Sequence, residues 1–219
     1  MKLFIFDIDG TLCDTYGIDG ECYFEALEKV FGFQDLSNDW NDYPETTDSG
    51  ILNLLFRHRC NRMPTEDENT KMKDCFYDLF VAAFDSEANA CQPIAGGLAF
   101  WSELKKQDIP VAVATGGWRH TALLKLEKAG YDVNEIPIAT ADDSEKRAEI
   151  CRTVIEKSEM WYGQIFEQVI YFGDGLWDAR VADELGFRFV GVSTDPTKFE
   201  NQAEMIVANF ENIELSRLL

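Results

Sequence analysis

The sequence is poor in basic residues, in histidine and in long apolar segments. Its 219 residues include 20 Lys and Arg against 40 Asp and Glu, which gives a formal net charge of −20. Nucleic acids and anionic membranes are bound through basic surface that displaces counterions, so we expect neither class as a partner. No run in the sequence approaches the roughly 20 apolar residues of a membrane-spanning helix.

Patterns that bind zinc or form disulfides are also missing. The chain has two histidines, and its six cysteines include no C-x-x-C pair, so we expect no zinc site. The apolar run that begins the chain is shorter than the core of a signal peptide, so we expect a cytoplasmic protein with reduced thiols. The cysteines are Cys13, Cys22, Cys60, Cys75, Cys91 and Cys151.

Apolar residues make up 46% of the chain, which is enough to build a core. Continuous apolar runs of strand length lie at 2–8, 109–114, 168–172 and 187–192, with shorter runs at 136–139 and 205–208. Runs that do not alternate with polar residues predict parallel strands buried on both faces. Helical patterns lie between these predicted strands, so we expect a doubly wound α/β sheet. These helical patterns cover residues 95–107, 118–129, 144–159 and 176–185.

Residues 14–92 interrupt this alternation. They contain three helical patterns, at 20–31, 47–60 and 65–85, and no convincing strand. A segment of this length is too long for a loop in a compact domain, so it predicts a helical subdomain inserted after the first strand. We therefore expect a core made of residues 1–13 and 93–219, and a subdomain made of residues 14–92.

Two pairs of aspartates follow predicted strands. Asp7 and Asp9 leave the first strand two residues apart, which places both carboxylates on one side of an extended chain. Two like charges this close need a cation or a shared proton. Asp174 and Asp178 follow the strand at 168–172 and can face one point, as Mg²⁺ ligands do. Turn and helix caps are the alternative reading for both pairs.

Two further segments suit an anion. Thr115, Gly116 and Gly117 stand between a predicted strand and a helix, where backbone N–H groups can hold a phosphate. Lys146, with Arg147 beside it, lies near a helix start, where a cation opposes the helix dipole and so suggests an external anion. Taken alone, a plain turn explains the first segment equally well, and a solvated surface charge is the favoured explanation of Lys146.

The order and spacing of these four motifs resemble the haloacid dehalogenase-like (HAD) hydrolase superfamily. The resemblance covers nearly the whole chain. Within the superfamily, the chain resembles the subclass with a C1-type cap, to which beta-phosphoglucomutase and phosphoglycolate phosphatase belong. It implies a Rossmann-like doubly wound parallel sheet with an inserted all-helical cap. It also implies that Asp7 is the nucleophile and that Asp9 is the general acid and base. An aspartate at position 9 indicates phosphoryl chemistry, because haloacid dehalogenases proper lack it.

The same resemblance implies a cofactor and a binding site. Mg²⁺ would be held by the Asp7 carboxylate, the Asp9 carbonyl, Asp174 and Asp178. The phosphoryl group would be bound by Thr115, Gly116 and Lys146. In the cap, Thr47 lies in a segment at 46–50 that resembles the specificity loop of the family, and Arg57 and Arg59 follow on the next helix. Asn53 and the lack of a lysine in this helix count against the Schiff-base chemistry of phosphonoacetaldehyde hydrolases.

We therefore expect a Mg²⁺-dependent phosphatase that hydrolyses a small phosphorylated metabolite through an aspartyl-phosphate, as a monomer or homodimer. A phosphomutase would use the same core residues, and a non-catalytic protein that binds phosphorylated ligands is a further alternative. A signalling receiver domain does not fit, because its acidic pair precedes the phosphorylated aspartate and it lacks a cap. The net charge of −20 does not exclude a small phosphate ester, because salt screens the global field beyond about 8 Å.

Overall fold

A parallel sheet forms the centre of the protein. The computed structural model describes residues 1–86, 91–199 and 201–219, apart from the side chain of Tyr16. Within these residues six parallel strands pair in the order β5-β4-β1-β6-β7-β8. They are β1 (Lys2–Phe6), β4 (Val111–Ala114), β5 (Ile138–Ala139), β6 (Gln168–Gly173), β7 (Arg188–Val192) and β8 (Met205–Val207). Two short strands, β2 (Cys13–Asp14) and β3 (Gln92–Pro93), form a separate antiparallel ribbon.

The first strand shows why the apolar runs predicted a parallel sheet. Phe4 and Phe6 point into one buried cluster, whereas Leu3 and Ile5 point into another on the opposite face. Because both faces are covered, no polar position interrupts the run. β1 lies between β4 and β6, so the direction of strand addition reverses there. Ligands of open α/β sheets bind at the carboxyl ends of the strands at such a point.

Helices cover both faces of the sheet, as predicted. α4 (Gly97–Lys106) and α5 (Arg119–Lys128) contribute to the cluster that contains Phe4, and α6 (Arg147–Tyr162) and α7 (Leu176–Leu185) contribute to the other. α7 ends at Gly186, whose φ of 70° is left-handed and favours glycine. The predicted doubly wound α/β class is confirmed.

A helical insertion follows β1. It contains α1 (Tyr16–Phe31), a 3₁₀ turn (Trp40–Asp42), α2 (Asp48–Cys60) and α3 (Glu66–Ser86). Its apolar cluster includes Tyr23, Phe76 and Phe80, and the core residue Trp118 packs into the same cluster. The insertion and the core therefore share a buried apolar contact at Trp118.

Two details of the insertion differ from the sequence-based prediction. α1 begins at Tyr16 rather than near residue 20, because the poor helix formers Gly17 and Gly20 are accommodated inside it. No strand was predicted within residues 14–92, yet Asp14 pairs with Gln92 in the β2–β3 ribbon. Strands of two residues have no periodicity that a sequence pattern can reveal. Among the described residues, no helix has the length and apolar character needed to cross a membrane.

Candidate active site

Three buried carboxylates meet at the carboxyl edge of the sheet. Asp7 follows β1, Asp174 follows β6 and Asp178 lies in the first turn of α7, and oxygens of all three lie within 4.8 Å of one another. Burial, with the charge of Asp178, raises the pKa of Asp174 to about 7. Burial also raises the pKa of Asp7 well above its ordinary range. Asp174 Oδ1 is buried and has no hydrogen-bond partner. A cluster of crowded carboxylates with an unused oxygen fits a divalent cation.

The turn after Asp9 depends on Gly10. Its φ of +75° is left-handed, and a Cβ at this position would lie 2.5 Å from Asp174 Oδ2. Both observations exclude larger residues without a shift of the backbone or of Asp174. The Asp-Gly-Thr sequence of this turn therefore brings the chain close to the second predicted aspartate pair.

Arg147 is the cation of this cluster. Its Nη1 donates to Asp7 Oδ1 at 3.2 Å and to Asp178 Oδ1 at 2.8 Å, and the side chain is buried. Burial alone would lower the pKa of Arg147, but Asp178 and Asp7 raise it above its ordinary value. The structure does not bring Lys146 to this cluster. The Lys146 side chain is exposed, and the residue stands at the N-cap of α6 with an extended backbone. Because α6 begins one residue later, the adjacent Arg147 points inward instead.

Asp178 is held entirely by protein donors. Its Oδ1 accepts hydrogen bonds from Arg147 and from the Tyr171 hydroxyl at 2.7 Å, and its Oδ2 accepts one from the Gly175 amide at 3.0 Å. Three donors leave this carboxylate less free than Asp174 to take a metal ion. Tyr171 was missed by the sequence analysis, because a tyrosine inside a buried strand is indistinguishable from a core residue there.

The segment after β4, which the sequence predicts to hold an anion, lies beside Arg147. The buried Thr115 hydroxyl accepts a hydrogen bond from the Gly117 amide at 3.1 Å, which leaves its own proton free to donate. A Cβ on Gly116 would lie 2.5 Å from Arg147 Nη2 and 2.6 Å from the Thr46 carbonyl oxygen. Gly116 therefore allows the guanidinium group to approach the backbone next to Thr115.

The carboxylate of Asp9 is paired with a second buried cation, Lys125. Lys125 Nζ lies 2.7 Å from Asp9 Oδ1 and also contacts Asp19 Oδ1 of α1, and Thr15 Oγ1 donates to Asp9 Oδ1 at 2.5 Å. The lysine side chain is 0% exposed. Burial raises the pKa of Asp19 to about 6, although Lys125 opposes the shift. The carboxylate of Asp9 is thus outside the cluster of Asp7, Asp174 and Asp178.

Lys125 was also missed by the sequence analysis. It lies on the buried face of α5 together with Thr121, Ala122 and Leu126. A lysine inside an apolar stripe of helical spacing is the signal that could have identified it, because a lysine is rarely fully buried without a charged partner.

The cap side of the site differs from the prediction by one residue. Thr47 is buried and caps α2: its hydroxyl accepts from the Gly50 amide at 3.0 Å and donates to the Glu145 carbonyl at 2.6 Å. The adjacent Thr46 lines the cavity instead, and its hydroxyl has no partner. The cavity has a volume of about 50 Å³ and is lined by Asp7, Asp9, Asp19, Trp40, Thr46, Asp48, Ile51, Thr115, Gly116, Gly117, Arg147, Asp174 and Trp177.

Comparisons with known proteins identify the family and the fold. A family model for haloacid dehalogenase-like hydrolases matches residues 1–186. No curated protein matches the chain. Among solved structures, a hydrolase from Pseudomonas syringae has a TM-score of 0.75 at 20% identity, covering 100% of this chain and 98% of its own. Beta-phosphoglucomutase from Clostridium difficile has a TM-score of 0.73 at 17% identity, and the match covers 99% of this chain and 94% of that protein. CbbY from Rhodobacter sphaeroides, in complex with phosphate, has a TM-score of 0.69 at 21% identity, covering 96% and 95%.

Proposed function

The chain belongs to the haloacid dehalogenase-like hydrolases, and from this premise we propose that it is a Mg²⁺-dependent phosphatase of a small phosphorylated metabolite. The observation that carries the proposal is the position of the Asp7 carboxylate. It lies at the sheet edge next to Arg147, in a cavity that Thr115 and Gly116 also line. A buried carboxylate beside a cation and a predicted anion site suits nucleophilic attack on phosphorus.

The donor set fits a magnesium ion. We propose that Asp7, the Asp9 carbonyl and Asp174 hold it, and that Asp178 orients Arg147 from behind because protein donors already occupy its oxygens. Bound there, Mg²⁺ supplies positive charge that offsets the charge of the phosphoryl oxygens. The unpartnered Asp174 Oδ1 supports this assignment.

In the first step, an oxygen of Asp7 attacks phosphorus and the bond to the leaving oxygen breaks. Repulsion between one unit charge on a carboxylate and one on the phosphate is about 4 kcal/mol near 4 Å at an effective dielectric constant of 20. Arg147 offsets this repulsion, and we propose that it takes the part expected of Lys146. Thr115 donates its hydroxyl proton to a phosphoryl oxygen. Asp9 gives a proton to the leaving oxygen after its carboxyl group moves away from Lys125.

In the second step, water attacks the aspartyl-phosphate. Asp9 accepts the proton of that water, the bond between phosphorus and Asp7 breaks, and inorganic phosphate is released. We propose that residues 14–92 act as a cap over this site, with residues 1–13 and 93–219 as the core. Trp40 and Ile51 of the cap line the cavity and would exclude bulk water during the reaction.

The test is the Mg²⁺-dependent hydrolysis of p-nitrophenyl phosphate. We expect Asp7→Asn to abolish turnover, because the amide is a poor nucleophile, and to retain the fold by circular dichroism. Asp85→Asn changes an exposed aspartate and is the control, with wild-type turnover expected. Retention of wild-type turnover by Asp7→Asn would contradict the mechanism. Release of inorganic phosphate, rather than an isomerised sugar phosphate, distinguishes hydrolysis from the phosphomutase alternative.

A further inference from the structure

Besides the groups proposed to bind the phosphoryl group and the metal ion, the cavity is lined by apolar and acidic side chains. Two indoles, of Trp40 and Trp177, and the side chain of Ile51 provide apolar surface. Asp19 of the insertion provides a carboxylate, whereas Asp48 is bonded to the segment after β4, where its Oδ2 accepts a hydrogen bond from the Trp118 amide at 2.8 Å. The group that leaves with the ester oxygen has to lie against these side chains, because the phosphoryl group occupies the predicted anion site.

The cations near the cavity all face the phosphoryl end. Arg147 is paired with Asp7 and Asp178, and Lys125 is paired with Asp9 and Asp19. Lys198 Nζ lies 3.7 Å from Asp174 Oδ2, on the side of the proposed metal ligands. In the described part of the chain, Arg147 is the one lysine or arginine that lines the cavity.

The lysines and arginines of residues 14–92 point elsewhere. Each has an acceptor outside the cavity, so none lies ready to meet a charged substrate. Arg57 pairs with Glu145, Arg59 with the Gln34 carbonyl, Arg62 with Glu68, Lys73 with Asp142, Lys29 with Glu25 and Lys71 with Asp67. The two candidates of the sequence analysis, Arg57 and Arg59, therefore lie away from the site.

A negatively charged leaving group would be buried here against like charge. Its carboxylate or second phosphate would lie near Asp19, whose cation Lys125 is already shared with Asp9, which is costly in a cavity of low polarity. An uncharged hydroxyl can instead bond to the unpartnered Thr46 hydroxyl, and a methylene chain or ammonium group can contact the indole faces.

We propose that the substrate is the phosphate monoester of a small alcohol that carries no negative charge, either neutral or ammonium-bearing. This specificity rests on the proposed phosphatase function and narrows it. A sugar-phosphate mutase needs a subsite for a second phosphate, so the same distribution of charge favours hydrolysis.

Three esters of nearly equal size test the proposal. They are 2-hydroxyethyl phosphate, 2-aminoethyl phosphate and carboxymethyl phosphate, each assayed with Mg²⁺ by release of inorganic phosphate. We expect kcat/KM for the first two to exceed that for the carboxymethyl ester by at least about tenfold, the scale of one unpaired charge. Equal or faster hydrolysis of the carboxymethyl ester would overturn the proposal.

An aromatic pair separates this failure from failure of the phosphatase function. 4-Carbamoylphenyl and 4-carboxyphenyl phosphate have nearly the same shape and similar leaving groups, and only the second carries a carboxylate on the leaving group. Hydrolysis of both at equal rates would reject the charge specificity but retain the phosphatase. No Mg²⁺-dependent hydrolysis of any of the five esters would reject both.

A charge-reversing variant gives an independent readout. Trp40→Arg places a cation at the rim of the cavity, and Trp40→Leu removes the indole without adding charge. We expect the ratio of kcat/KM for the carboxymethyl ester to that for the hydroxyethyl ester to rise about tenfold in Trp40→Arg alone. The ratio is independent of a general loss of activity. An equal change of the ratio in both variants would contradict the electrostatic origin of the specificity.

Discussion

Asp7 and Asp9 are two residues apart, and each is paired with its own buried cation. Arg147 contacts Asp7 and Asp178, which both belong to the core. Lys125 contacts Asp9 of the core and Asp19 of α1 in the insertion. The carboxylates of the first network both belong to the core, although Arg147 Nη2 also donates to the Thr46 carbonyl of the insertion at 3.3 Å. The second network pairs one carboxylate of the core with one of the insertion.

This difference indicates separate tasks. The planar guanidinium of Arg147 spans two carboxylates in a fixed direction, as an anion site requires. The ammonium group of Lys125 is a compact charge that can keep one partner while another moves. A movement of the insertion would therefore leave the contacts of Arg147 with Asp7 and Asp178 within the core and alter the charge around Asp9. In the proposed mechanism, the acid–base group is thus the one whose countercharge is shared with the insertion.

The largest effect is expected at Arg147. Arg147→Met should lower kcat/KM for phosphate ester hydrolysis by about 10³-fold or more, because the repulsion between Asp7 and the phosphate is then unopposed. Arg147→Lys should recover part of the loss. Lys146→Met, which changes the adjacent exposed cation, is the control and should retain wild-type kinetics. A greater loss in Lys146→Met than in Arg147→Met would contradict the assignment of Arg147 to this network.

Removal of the second cation should affect stability together with activity. Lys125→Met leaves Asp9 and Asp19 without a countercharge, and we expect a loss of about 3–5 kcal/mol in the free energy of unfolding, measured with urea. Adding Asp19→Asn should restore part of it. Lys105→Met removes an exposed pair with Asp132 and should cost less than about 1 kcal/mol. Additive effects of Lys125→Met and Asp19→Asn would show that the two residues are not coupled.

The metal-free protein should lose stability as the pH rises. In the folded chain the pKa of Asp174 is raised from its ordinary value of 3.8 to about 7. Between pH 3.8 and about pH 7, the folded state holds a proton that the unfolded state has released. The free energy of unfolding therefore falls as the pH rises through this range, by about 1.4 kcal/mol per unit of pKa difference. Asp174→Asn should flatten the dependence of Tm on pH. Mg²⁺ should raise Tm most above pH 7 in the wild type, and an increase in Tm from pH 4 to 7 without metal would contradict the shift.

The smallest effect is expected at the exposed cations of the insertion. Arg57→Ala removes a half-exposed pair with Glu145 and should change the free energy of unfolding by less than about 1 kcal/mol. Its kcat/KM for every ester tested should stay close to wild type, because the side chain lies outside the cavity. A selective loss of activity on the carboxymethyl ester would instead indicate that Arg57 contributes to substrate binding.

The sequence analysis predicted the sheet well, because strands buried on both faces leave continuous apolar runs. It also predicted the aspartates that follow β1 and β6, since residues at strand ends have fixed positions. It was less accurate at helix starts: Arg147 lies where Lys146 was expected, and Thr46 where Thr47 was expected. A shift of one residue rotates a helical side chain by about 100°, and the helix boundary depends on packing that a sequence pattern does not contain. Lys125 was missed because its partners, Asp9 and Asp19, are distant in sequence.

The β2–β3 ribbon joins the two ends of the insertion, where Cys13 pairs with Pro93 and Asp14 with Gln92. β1 pairs with β4 only after the long segment between them has closed into a loop, at an entropic cost that grows slowly with its length. Packing of α1 against α3 brings the two ends of that segment together and shortens the loop that remains to be closed. The order in which these contacts form therefore bears on the folding rate of the sheet. The same adjacency lets the inserted segment change in length without displacing the strands on either side.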